Sequence, residues 1–129
     1  MILLLRADTK TAYIALLDGI EFLVKDEWQA GRELSLQLNQ KIEAYCEEFA
    51  INLSDFAGII VYKGPGSYTG LRITVAVANA LGYAHNLKVA ATSGELWEED
   101  GVKILDTISG FTPVAPFYGG EVYTTKPIK

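Results

Sequence analysis

The chain reads as an α/β fold on one mixed sheet, in the order β-β-β-α-β-α-β with a closing β-hairpin. Three observations predict it. Apolar runs at 2–7, 12–17 and 20–25 follow one another too closely for helical crossovers, so they pair antiparallel. Apolar runs at 58–63 and 88–92 each follow a helical segment, which makes them parallel to an earlier neighbour through right-handed crossovers. A glycine-rich turn at 64–70 joins a strand to a long apolar helix, the punctuation of an α/β unit.

Taken in order, Ile2–Ala7 is the first strand, and the polar stretch Asp8-Thr9-Lys10-Thr11 turns it into the second. Asp18-Gly19 is a two-residue hairpin signal between the second and third strands. A helix is expected at about 33–49, where Leu34, Leu38, Ile42, Tyr45, Cys46 and Phe49 fall on one face and Gln37, Lys41, Glu43, Glu47 and Glu48 on the other. The strand at 58–63 leads through the turn into a helix that ends near His85, stopped by Asn86, and the fifth strand is Lys88–Thr92. Residues 93–112 read as loop, with a short strand at 102–107. Val114–Tyr118 and Glu121–Thr125 flank Gly119-Gly120 as a second hairpin, its first strand pushed to an edge by Pro113 and Pro116.

With 129 residues and half of them hydrophobic, the chain holds one domain with a proper core. A formal charge of −5 with eleven scattered Lys and Arg argues against autonomous nucleic-acid binding. Cys46 is the only cysteine, so no internal disulfide forms and a reducing compartment is expected. The apolar run Ile2–Leu5 is cut short by Arg6 and Asp8, too short for a signal peptide or a span; the chain reads as cytoplasmic, without a membrane partner.

Gly64-Pro65-Gly66-Ser67-Tyr68-Thr69-Gly70-Leu71-Arg72 is the most informative stretch. Three glycines and a proline fix an unusual backbone path, and Ser67 or Thr69 is expected to cap the helix that follows. Nucleotide loops of the common kinds are excluded by the letters. A P-loop needs Gly-Lys-Ser/Thr where Gly70 is followed by Leu71 and Arg72, and the dinucleotide fingerprint needs G-x-G-x-x-G where this chain has one residue more. Its acidic partner is also absent from the strand Val89–Thr92.

From Leu71 to Ala84 the only polar side chains are Arg72, Thr74 and Asn79. Much of the rest is small, and a helix this apolar is buried on more than one side. The sheet covers one side. Either a partner chain or a second copy covers the other, or the terminal hairpin and the loop at 93–112 fold over it. Ala78 and Ala80 point in different directions, and the letters do not say which faces outward. Arg72 is expected to meet a carboxylate or a carbonyl, because an unpaired buried cation is costly.

Conventional catalytic chemistry lacks its residues. His85 is the only histidine and reads as a partner for the helix C-terminus rather than a metal ligand. Neither Cys46 nor any serine has an evident activating base, and Cys46 reads as core. Asp8 reads as an anchor for the glycine-rich turn, with a remnant acidic site as the alternative. Glu98-Glu99-Asp100 reads as a solvated run, with a docking point for a basic partner as the alternative.

Residues 64–73, Gly-Pro-Gly-Ser-Tyr-Thr-Gly-Leu-Arg-Ile, resemble the G-P-G-S-[FY]-T-G-L-R-[IV] signature of the TsaB (YeaZ) family. Ala7-Asp8-Thr9 resembles that family's opening D-T motif, Arg32-Glu33-Leu34-Ser35 sits at its helix start without the histidine, and Gly120-Glu121-Val122-Tyr123 resembles its R-G-E-[VI]-Y segment. The resemblance implies an actin- or Hsp70-like, ribonuclease H-like ATPase fold of two lobes. Residues 1–129 would be the first lobe of a shortened member, with 113–125 the remnant of the second.

It further implies a non-catalytic dimerisation subunit of the complex that transfers a threonylcarbamoyl group to the adenosine beside the tRNA anticodon. The implied partners are a TsaD-like catalytic subunit, a TsaE-like ATPase, a second copy of the chain when alone, and tRNA only through the complex. No cofactor is implied. Candidate interface and motif residues are Gly64, Pro65, Gly66, Ser67, Tyr68, Thr69, Gly70, Leu71, Arg72, Val75, Ala78, Asn79, Leu34 and Leu38. Two departures bear on enzyme readings. Lys10 stands where ATP-using relatives carry a glycine, and Pro116-Phe117-Tyr118-Gly119 replaces an Asp-Ala-Arg-Arg-like run. A homodimeric scaffold, a small ATP-dependent phosphotransferase and a glycoprotease-like peptidase are the alternatives.

Overall fold

Five strands form one sheet in the order β3-β2-β1-β4-β5 in the computed structural model, which describes residues 1–118. Strand β1 (Ile2–Arg6) is central. It pairs antiparallel with β2 (Thr11–Asp18) and parallel with β4 (Gly58–Tyr62), and β5 (Lys88–Thr92) continues the parallel half. The hairpin partner β3 (Glu21–Gln29) runs four residues beyond its predicted end and closes the other edge. This is the mixed α/β sheet that the letters predict.

Alternation along β1 divides the interior. Leu3, Leu5 and Ala7 point to the face covered by α1 (Leu34–Glu48) and α2 (Tyr68–His85), where they pack with Leu34, Leu38, Ile42, Val75 and Ala78. Leu4 points to the opposite face with Ile60, Tyr62, Ala90, Trp97 and Leu105. Both faces of β4 are fully buried, as a parallel strand between two helical layers requires.

The loop reading of 93–112 is corrected: Trp97–Leu105 is a helix, α3, and no strand exists at 102–107. Its buried residues Trp97, Gly101 and Leu105 recur every fourth position, the helical period. Gly101 is there because the helix lies directly on the sheet; a Cβ would overlap the Ile60 side chain. The acidic run Glu98-Glu99-Asp100 is therefore the first turn of a helix, where negative charge favours the N-terminal end of the dipole.

The second hairpin is corrected in its first half. Val114–Tyr118 belongs to no strand among the described residues, and Glu121–Thr125 lies outside them. Residues 111–118 instead run antiparallel along the flank of α2. Phe111 packs edge-on against Tyr83 with ring centroids 6.2 Å apart. Asn79 grips Val114 in both directions, donating from Nδ2 to its carbonyl and accepting from its N–H through Oδ1, each at 2.9 Å. The Phe117 N–H donates to the Lys63 carbonyl at 2.7 Å, and Tyr118 stacks on Tyr68 at 4.6 Å. This strap, described as far as Tyr118, covers one flank of α2; the alternative reading placed a hairpin and a loop at 93–112 there, whereas 97–105 is a helix on the opposite face.

Candidate interface on the second helix

The glycine-rich turn is closed by the chain's own backbone. A Cβ on Gly70 would overlap the Ala7 carbonyl, and one on Gly66 would overlap Asp8. Gly64 is buried, and Pro65 and Gly66 are exposed. The Ser67 N–H donates to the Asp8 carbonyl at 2.8 Å, so the start of α2 is moored to the β1–β2 turn by main chain. Ser67 stands at the N-cap, but its hydroxyl makes no capping bond, and Thr69 lies inside the first turn of the helix; the expectation of a hydroxyl cap is corrected. Gly66 and Gly70 thus serve close approach to the β1–β2 turn within the fold.

Asp8 anchors this arrangement with both its ends. Its carbonyl receives Ser67, and its carboxylate takes two hydrogen bonds from Arg6, at 2.7 Å from Nε and 3.0 Å from the terminal nitrogen. The Arg6 guanidinium, its charge held by Asp8, also lies 3.7 Å from the Tyr62 ring centroid. Nearby, the Tyr13 hydroxyl donates to Glu98 at 2.7 Å; burial and that carboxylate push the phenol pKa well above its ordinary range. Trp97 stands edge-on to both Tyr13 and Tyr62. Arg6, Asp8, Tyr13, Trp97 and Glu98, with Glu27, line a polar cleft of about 370 Å³ in which Arg6 is matched to Asp8 and Tyr13 to Glu98. The sequence hides this cluster, since Arg6 reads there only as the polar end of a strand.

The predicted interface residues fall into two groups. Gly70, Leu71, Val75 and Ala78 of α2, with Leu34 and Leu38 of α1, are buried in the chain's own core, together with Thr74. Ser67, Tyr68, Thr69 and Arg72 are exposed, and Asn79 is half-buried with its amide committed to Val114. Along α2 the exposed positions are Tyr68, Thr69, Arg72, Ala76, Ala80, Tyr83 and Ala84, a single stripe at helical spacing. Ala80 faces outward while Ala78 is fully buried. Tyr68 and Tyr83, 56% and 79% exposed, stand at the two ends of the stripe. Asn86 ends the helix in a left-handed conformation with φ 54°, and the Leu87 N–H closes on the Gly82 carbonyl at 2.9 Å.

Arg72 meets neither a carboxylate nor a carbonyl among the described residues; its guanidinium lies 5.2 Å from the Tyr68 ring centroid. Beside the stripe, a groove of about 620 Å³ between α1 and α2 is lined by Leu36, Cys46, Ile51, Leu53, Leu81 and His85, among others. The groove brings the one cysteine and the one histidine to a common wall, which spacing in the sequence does not suggest. Burial holds the Cys46 thiol protonated by raising its pKa, so it is not a ready nucleophile. Among the described residues no cluster of three or more His, Cys, Asp or Glu is placed to hold a metal, and no helix is long and apolar enough to cross a membrane.

The family model described as TsaD: tRNA N6-adenosine threonylcarbamoyltransferase matches residues 28–93, which hold α1, β4 and α2. The tRNA threonylcarbamoyladenosine biosynthesis protein TsaB of Bacillus subtilis (strain 168) is 38% identical over 71 residues, or 54% of this chain and 30% of that protein. Among solved structures, YeaZ from Pseudomonas aeruginosa superposes with a TM-score of 0.66 at 25% identity, over 78% of this chain and 49% of that one. Another, described as an uncharacterized protein with similarity to peptidase YEAZ from Pseudomonas aeruginosa, gives a TM-score of 0.65 at 27% identity, over 71% of this chain and 42% of that one. The match thus spans under a third of the curated relative and under half of each solved structure.

Proposed function

We propose a function from one premise: this chain belongs to the tRNA N6-adenosine threonylcarbamoyltransferase family, as a TsaB (YeaZ)-like member on an actin-like, ribonuclease H-like fold. On that premise it is a non-catalytic subunit of the machinery that makes threonylcarbamoyladenosine in tRNA, and it pairs through α2 and the adjoining face of α1 with a TsaD-type subunit. A TsaE-like ATPase serves the same assembly, and tRNA is met only through the complex. Alone, the chain pairs with a second copy on the same surface.

The observation that carries this reading is the exposed stripe on α2. Small side chains at Ala76, Ala80 and Ala84 let another helix approach closely, and the groove beside α1 continues the same surface. The glycine turn packed against Ala7 and Asp8, the Arg6–Asp8 ion pair and the Tyr13–Glu98 hydrogen bond support a structural role in place of a catalytic one.

Light scattering on size-exclusion peaks, with the chain and a TsaD-type subunit mixed at micromolar concentration, tests the reading. A one-to-one complex is expected. Ala80→Glu should leave the far-ultraviolet dichroism of a folded monomer and weaken the complex by roughly a hundredfold, because an unpaired carboxylate is then desolvated on contact. A chain that stays monomeric with and without the TsaD-type subunit overturns it.

A further inference from the structure

We infer that Arg72 selects the partner, and that the partner meets it with a carboxylate. The inference rests on the pairing proposed above and adds the chemistry that the other surface must carry. Arg72 lies within the exposed stripe, between Thr69 and Ala76. Among the described residues it has no ion pair, only the neighbouring Tyr68 ring. An occupant close enough to touch Ala76 and Ala80 takes water off the guanidinium, and a desolvated cation is tolerated only where a counter-charge replaces that water. The planar guanidinium also suits a carboxylate by offering two parallel donors.

A second copy is poorly made to supply that carboxylate. From Tyr68 to His85 the helix contains no Asp or Glu, so two such helices laid together bring two arginines and no acid. The acids a second copy could offer lie off α2, on α1, where Glu43 stands on the wall of the groove beside Leu81 and His85 and Glu47 and Glu48 are exposed further along. Two copies, each with a formal charge of −5, also repel at long range. The occupant that satisfies Arg72 is therefore a TsaD-type subunit whose contacting helix carries an Asp or Glu facing the second turn of α2.

The test measures two dissociation constants, for the TsaD-type subunit and for self-association, in wild type and in Arg72 variants at low and moderate salt. Arg72→Met is expected to weaken the mixed complex by roughly tenfold to a hundredfold and to remove most of its salt dependence. Arg72→Lys should restore part of both, and Arg72→Glu should bind worse than Arg72→Met. Self-association should be unchanged or tighter in Arg72→Met. Because Arg72 is exposed, its thermal midpoint should match wild type. A mixed complex as tight and as salt-sensitive in Arg72→Met as in wild type overturns the inference while leaving the pairing intact. Failure of the wild-type chain to bind at all overturns both. If Arg72→Glu abolishes self-association and adding Glu43→Arg restores it, a second copy is the occupant and the inference is also overturned.

Discussion

The two helical faces of the sheet are finished in different ways. On the α3 face, Trp97 fills the space between Tyr13 and Tyr62, Gly101 lets the helix rest on Ile60, and Arg6 is clasped by Asp8. Each of these groups has its counterpart within the chain, while Leu96 and Ile104 on the outer side of that layer stay partly exposed. On the α1–α2 face, the inner half is as well packed, with Leu38 and Ala78 inaccessible to solvent. The outer half of α2 shows an arginine, two tyrosines and a row of alanines to solvent. On the α3 face the aromatic and charged groups next to the sheet are matched to one another, and on the other face the packing is closed to the depth of one helix. A fold with a self-sufficient core has no thermodynamic need to keep its outward helix so apolar, and on the function proposed above that excess is the surface offered to another molecule.

The largest test of this contrast is Ala78→Glu. It places a charge where no water reaches and should cost about 3–5 kcal/mol, enough to unfold much of a domain of ordinary stability. Urea denaturation measures it, and the companion Ala80→Glu should shift the midpoint by no more than about 0.5 kcal/mol. Equal effects at the two alanines would erase the distinction between inner and outer halves.

On the completed face, Gly101→Val should cost about 1–3 kcal/mol, because overlap with Ile60 outweighs the gain in helix propensity. A neutral result by the same measurement would mean that the α3 layer is looser than its contacts indicate.

The smallest effect belongs to Asp26, which pairs with Lys41 at 2.8 Å and accepts from the Tyr45 hydroxyl on the rim of the α1 layer. Burial pushes its carboxyl up, but Lys41 and Tyr45 outweigh that and hold it below the ordinary value. A carboxylate depressed in the folded state contributes stability above its unfolded pKa and loses it as the pH falls through the folded value. The pair is partly solvated, so the contribution is a few tenths of a kcal/mol. Asp26→Asn should therefore flatten the urea midpoint as pH is lowered below about 4, leaving the midpoint at neutral pH slightly reduced.

Much of this contrast was legible in the letters, and what was not has physical reasons. Strands and the two long helices declared themselves because each is long, periodic and bounded by Gly or Asn. Helix α3 did not. Its central Gly101 and the preceding Ser93-Gly94 imitate a loop, and Ile104-Leu105 imitates a strand, while the signal at Trp97, Gly101 and Leu105 contains a glycine that counts as apolar only once Ile60 is seen against it. The signature around Gly64–Arg72 pointed to the right helix, yet Ala78 and Ala80 are the same residue, and only the placement of the sheet decides which one is core. The Arg6 cluster joins residues from four distant segments, and no local pattern announces it.

The grip of Asn79 on Val114 has a wider implication. One side-chain amide there imitates an adjacent strand, offering a donor and an acceptor to main-chain atoms alone. Any residue but proline at position 114 keeps this hold, because proline lacks the N–H that Asn79 accepts. The path of the cover at this point is therefore set by main chain, while Phe111 and Val114 add side-chain packing on the core.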